Sequence, residues 1–157
     1  MAGLPFILKG VATAEDAAIA IEHGVSAIYV SNHGGRQLDH GRATIDMLPE
    51  IVEVAGNKAE IILDGGILRG SDVIKAIALG ARAVAIGKLQ GWGLAAGGEA
   101  GLLRVLEILE SEIVTTMGLL GFARLDQLTS SYLCKVQPMS PVHEMSTFPH
   151  LPGGQLL

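Results

Sequence analysis

The sequence predicts an α/β fold in which short parallel strands alternate with helices, and three features of it say so. Apolar residues make up 49% of the 157 but aromatics only 4%, so the core is aliphatic, as suits parallel strands buried on both faces. Four short aliphatic runs, 5–9, 27–31, 60–64 and 83–87, each end on a polar residue or a glycine. Between them lie segments of helical period, opened by hydroxyl residues and closed by some of the 21 glycines.

Taken in order, the run Pro5-Phe6-Ile7-Leu8-Lys9 leads to a helix over 13–23. Thr13 and Asp16 place a hydroxyl and a carboxylate at the free amides of its first turn, and Gly24 closes it. The run 27–31 is followed by a helix over 44–55, opened by Thr44 and stopped by Gly56. The run 60–64 leads to a helix over 71–79, for which Ser71 and Asp72 supply the cap and Gly80 the stop. After the run 83–87 a glycine-rich turn is expected over 91–101, then a long helix over 102–120 and a shorter one starting near Asp126. Pro138, Pro141, Pro149 and Pro152, mixed with serine and glycine, mark 136–157 as an extended tail and leave 1–135 as one domain.

Composition also excludes some functions. The net charge of −5, with lysines and arginines scattered, argues against nucleic acid as a partner. No basic leader precedes an apolar segment, and no stretch approaches the roughly 20 apolar residues of a membrane span, so a cytoplasmic protein is expected. Cys134, the single cysteine, excludes an intramolecular disulfide and is expected to be a small buried or half-buried side chain. His23, His40, His143 and His150 have no metal-binding spacing, so no metal site is expected.

Right-handed crossovers between parallel strands bring all the strand carboxyl ends to one rim. That rim collects Lys9, Ser31, His33, Arg36, Asp64, Gly65, Gly66, Gly87 and Lys88. The densest part is Ser31-Asn32-His33-Gly34-Gly35-Arg36-Gln37-Leu38-Asp39, directly after the second strand. A plain structural reading makes this a glycine turn in which Arg36 pairs with Asp39 or Asp46.

That nonapeptide, with a lysine ending the preceding strand and Asp-Gly-Gly after the following one, resembles the FMN-dependent α-hydroxy-acid oxidases and dehydrogenases, the group of glycolate oxidase, lactate oxidase and the flavocytochromes. The resemblance runs from Leu4 to about Leu133. It implies that the four units form the C-terminal half of a TIM (β/α)8 barrel and take part in oxidising a small L-2-hydroxy acid to the 2-oxo acid. Such a reaction needs a group for the carboxylate, a base and an electron sink. By resemblance Arg36 binds the carboxylate through its planar fork, and His33 is the base, with the choice between the carbon-bound and the hydroxyl proton left open.

The resemblance also implies FMN as cofactor. It places Lys9 at the flavin's pyrimidine edge, where a positive charge stabilises the reduced ring, and gives Ser31 a hydrogen bond to the flavin. Asp64, Gly65, Gly66 and Arg69 form one part of the cofactor phosphate site, and Gly87 and Lys88 the other. This chain departs from the family there. Leu68 stands where the first of two arginines is usual, Lys88 replaces an arginine, and Leu89 replaces a proline. Trp92 is expected to be a packing residue.

Only half of such a barrel is present. In the family the first half contributes the tyrosines that contact substrate, further flavin contacts and the aspartate that pairs with the catalytic histidine. Four units alone leave two sheet edges and an apolar inner face open, so a missing N-terminal half or a second copy of the chain is the expected partner. Two other readings stay open: a half-barrel that binds FMN or phosphate without turnover, and a structural fragment with no ligand.

Overall fold

Parallel strands cannot be joined by a hairpin, so each must be followed by a crossover, and aliphatic strands favour a helix there to cover them. The computed structural model of the chain describes residues 4–38 and 40–136 and has this alternation throughout. Its elements are β1 (Ile7–Val11), α1 (Ala14–Glu22), β2 (Ala27–Val30), α2 (Thr44–Ala55), β3 (Glu60–Leu63), α3 (Gly70–Ala78), β4 (Ala83–Val84) and α4 (Lys88–Leu120). The four strands form one parallel sheet in the order β1-β2-β3-β4. The tail beyond Val136 and Asp39 lie outside the described residues.

Side chains alternate between the faces of a strand, so register decides what meets what. Leu8, Ile28 and Ile61 form one row across the sheet, while Lys9, Tyr29, Ile62 and Ala83 form the neighbouring row. Ile28, Val30, Ile61 and Leu63 are buried with Ala17, Ala20, Leu48, Ile51, Ala55, Val73 and Ala76 from α1, α2 and α3. The other face has no helical cover, and Ile7 on it is 50% exposed.

The structure moves several boundaries. The first strand is Ile7–Val11 rather than 5–9, because Gly10, at φ +97°, makes a bulge through which pairing continues to Val11. Lys9 therefore lies inside the strand. Ladder pairing in β4 covers only Ala83–Val84, one further backbone bond being donated by Ala85 to Leu63, so Gly87 belongs to the loop. Thr13 does cap α1, its Oγ accepting from the Asp16 amide at 3.2 Å.

Thr44 and Ser71 do not cap their helices. Ala43 precedes α2, and Thr44, buried, spends its hydroxyl on the Gly65 carbonyl instead. Arg69 is the residue before α3, and the Asp72 carboxylate accepts from the Leu68 and Arg69 amides.

The expected glycine turn is largely helical. Helix α4 starts at Lys88, and only Gly97 and Gly98 break it. Gly93 and Gly101 allow its two segments to touch: a Cβ on Gly101 would lie 2.0 Å from the Gly93 carbonyl oxygen. Those glycines serve close approach rather than turning. The short helix expected near Asp126 is reduced to two single 3-10 turns, Leu125–Gln127 and Ser130–Tyr132, which fold back so that Leu128 packs on Ile74 and Ala78. Trp92 is 53% exposed and Cys134 is exposed, so neither packs within this chain as expected.

Gly70 lies beneath α4, where an added Cβ would meet the Glu112 Cβ at 2.5 Å and the Ile113 nitrogen at 2.6 Å. Gly70→Ala is expected to destabilise by about 1–3 kcal/mol, read as a lower urea midpoint at unchanged slope. Gly91, helical and with nothing near its Cβ position, is the control. There Gly91→Ala should stabilise by about 0.5–1 kcal/mol.

Candidate active site

The uncovered face and the strand ends together build a polar cluster. Lys9 points along that face from β1, and its Nζ donates to Ser31 Oγ at 2.8 Å and to Asp64 Oδ2 at 2.5 Å. The same ammonium lies 4.0 Å from the centroid of the Tyr29 ring. Two strands and the residues directly after β2 and β3 thus contribute to one charge-centred group. Asp64 is largely covered, its side chain 17% exposed against 44% for Lys9, and its second oxygen, Oδ1, is buried without a hydrogen-bond partner. Burial, and after it the Asp64 carboxylate, push the Tyr29 phenol above its ordinary pKa, since both oppose a second negative charge.

Ser31 is buried, and its Oγ also accepts from the His33 backbone amide at 3.2 Å. One hydroxyl therefore joins the Lys9 cluster to the loop that follows β2. His33, Gly34 and Gly35 have φ of +54°, +67° and +69°, three left-handed residues in succession. For a residue with a Cβ, as His33 has, that conformation costs about 1–2 kcal/mol. It is held by Asn32 Oδ1, which accepts from the Gly34 amide at 3.0 Å, and by Lys88 Nζ, which donates to the Gly34 carbonyl at 2.9 Å.

His33 and Arg36 are both exposed, and neither side chain has a hydrogen bond or an ion pair among the described residues. Asp46, one of the two aspartates considered for Arg36, instead lies 3.6 Å from Lys135 Nζ. Among the described residues the loop thus presents an imidazole and a guanidinium without partners, joined through Ser31 to a lysine whose charge is balanced by an aspartate.

Residues 1–135 match the family model for FMN-dependent dehydrogenase. The chain belongs to that family. It is 52% identical over 130 residues to an L-lactate oxidase of Nostoc sp., covering 83% of this chain and 36% of that protein. It is 49% identical over 130 residues to a peroxisomal (S)-2-hydroxyacid oxidase of Arabidopsis thaliana, again 83% and 36%. A crystal structure of mandelate oxidase superposes with a TM-score of 0.76 at 46% identity, over 80% of this chain and 38% of that one. The chain spans about a third of the length of these relatives, and its four parallel βα units form part of a TIM barrel.

A flavin of this family would meet a site that fits at one end better than at the other. Around Lys9 and Ser31 there is a half-exposed cation whose charge Asp64 balances, a polar surface that a flavin ring edge suits. Gly66 and Gly87 have no atoms within 4 Å of a would-be Cβ, so a ligand has room to approach their backbone. Gly65, at φ +87°, is instead wedged against Asn32 and Thr44 and serves the loop contact. Lys88, next to Gly87 in the chain, donates from its Nζ to the Gly34 carbonyl.

Arg69 is not brought to this group. Its guanidinium lies 2.5 Å from Glu112 Oε1 on α4, while Glu112 Oε2 accepts from the Gly70 amide at 2.7 Å. A carboxylate therefore already occupies the arginine and the first helical amide of α3. Tyr29, Asn32 and Glu112 went unassigned in the sequence. Tyr29 was findable, since it lies two residues before Ser31 and shares its face. Glu112 had no local signal, because its partner is 43 positions away. Among the described residues no cluster could hold a metal ion and no helix is long and apolar enough to cross a membrane.

Two measurements check these electrostatics. In Asp64→Asn the Tyr29 phenolate should form at lower pH than in the wild type, yet still above an ordinary tyrosine because burial is the larger cause; phenolate absorbance with Tyr132→Phe as background reads it. Arg69 first, then the Gly70 amide, hold the Glu112 carboxyl below its ordinary value. Its contribution is complete above the unfolded glutamate pKa and is lost as pH falls through the depressed one, so stability in Glu112→Gln should fall less steeply over that acidic window.

Proposed function

We propose that this chain is the catalytic half of an FMN-dependent enzyme that oxidises a small L-2-hydroxy acid to the 2-oxo acid. The observation that carries the reading is the Ser31 hydroxyl, which joins the Lys9 ammonium to the backbone of His33 and so supports a flavin-binding role for Lys9 beside a catalytic role for the His33 loop. Names of relatives agree with it: they act on lactate and other 2-hydroxy acids.

In this reading FMN, when bound, accepts the two electrons released as the alcohol becomes a ketone. Arg36 holds the substrate carboxylate through two parallel charge-assisted bonds, free to do so because no carboxylate of the described residues engages it. His33 takes a proton at its imidazole. Lys9, Ser31 and Asp64 hold the ring and the chain beyond it, while Gly66, Gly87 and Lys88 receive the phosphate. Arg69 contributes at most from behind, since Glu112 engages its guanidinium. Completion of the barrel falls to an N-terminal half or to a second copy, which would cover the inner face. We place the protein in the cytoplasm, while two plant relatives are named as peroxisomal.

Mixing the chain with a separately produced N-terminal half of the lactate oxidase relative, FMN and L-lactate is expected to bleach the flavin. His33→Ala should lower the bleaching rate at least about 100-fold, the scale of a lost general base. Arg36→Lys should act mainly on KM, about tenfold or more, because the bidentate fork is lost. A second reading, FMN binding without turnover, is favoured by the intact Lys9, Ser31 and Asp64 group beside a His33 imidazole that engages none of the described residues. Retention of FMN with no bleaching by any 2-hydroxy acid would select it, and a colourless protein would reject both.

A further inference from the structure

We infer that Asn32 is a positioning residue for His33 and Arg36, its amide closing the loop that carries both. The importance of that loop rests on the proposed function, while its closure rests on geometry alone. Asn32 uses both ends of its side chain. Oδ1 accepts from the Gly34 amide at 3.0 Å, and Nδ2 donates to the Arg42 carbonyl at 3.3 Å, so the start and the far end of the loop meet on one residue.

Each end is anchored further. Arg42 donates to Glu50 Oε1 and to the Asp46 carbonyl, both at 2.9 Å, which ties the far end to α2. On the near side a Cβ at Gly65 would lie 3.0 Å from Asn32 Oδ1, so the amide is seated against the loop after β3. Thr44 locks that second loop by donating to the Gly65 carbonyl at 3.0 Å. His33 sits in the left-handed region without being a glycine, and an unrestrained turn would relax it to negative φ. The Gly34 bond to Asn32 and the Lys88 bond to the Gly34 carbonyl oppose that relaxation from two elements.

No other side chain of similar size serves both ends. Aspartate keeps the acceptor but puts a carboxylate oxygen against the Arg42 carbonyl, and alanine keeps neither bond.

The test is amide hydrogen exchange and backbone carbon shifts by NMR on the whole chain, with neither cofactor nor substrate. In Asn32→Ala the Gly34 amide should exchange at least about tenfold faster and the His33 shifts should leave the left-handed range. The Ile28 and Ile61 amides in the sheet core should stay protected. Asn32→Asp should retain Gly34 protection and the His33 shifts while loosening the 40–43 end. Unchanged Gly34 exchange and His33 shifts in Asn32→Ala would overturn the inference. If that variant loses core protection as a whole, Asn32→Asp decides: Gly34 protection retained supports the role, and lost Gly34 protection with an intact core overturns it. Failure of flavin bleaching with Gly34 protected would instead count against the function alone.

Discussion

Burial of Ile28, Val30, Ile61 and Leu63 beneath α1, α2 and α3 decides where every other strand residue points. Each such side chain contributes about 1.5–3 kcal/mol on leaving water, and shifting a strand by one residue would exchange its buried and open sets. With that face committed, alternation sends Lys9 and Tyr29 to the opposite face in register with Ile62. Parallel pairing then gathers Ser31 and Asp64 at one end. The polar group is thus a by-product of apolar burial, and its members need no attraction of their own to meet.

Legibility in the sequence followed the range of the interaction. Alternation of aliphatic runs with capped helical segments is local, and the order of elements was readable from it. So was the gathering of Lys9, Ser31, His33, Asp64 and Lys88, because parallel topology turns strand ends into neighbours. The first strand was misplaced because Gly10 looks like a stop and is a bulge. Gly93 and Gly101 look like a turn and are a close contact between two helical segments, a distinction a glycine count does not carry. Arg69 was assigned to a phosphate because nothing near it in sequence announces Glu112.

Charge balance separates the two ends of the candidate site. At the Lys9 end, the ammonium keeps nearly half its side-chain surface exposed while Asp64 offsets its charge, so the pair is neutral and polar. At the other end, Lys88 donates to a carbonyl and Arg69 is held by Glu112. A dianionic group placed there would rely on backbone amides and one ammonium, a weaker set than two guanidinium forks.

The spatial order of the strands is also their order along the chain: β1 pairs with β2, β2 with β3, and β3 with β4. Among these four strands no pairing has to wait for a segment made much later. Within these four units each strand emerging from a ribosome finds the strand before it already in place, so this part of the sheet is able to grow during synthesis, one unit at a time. Of the four, β4 has the shortest ladder, and the helix packed against it is α3, which α4 covers in turn.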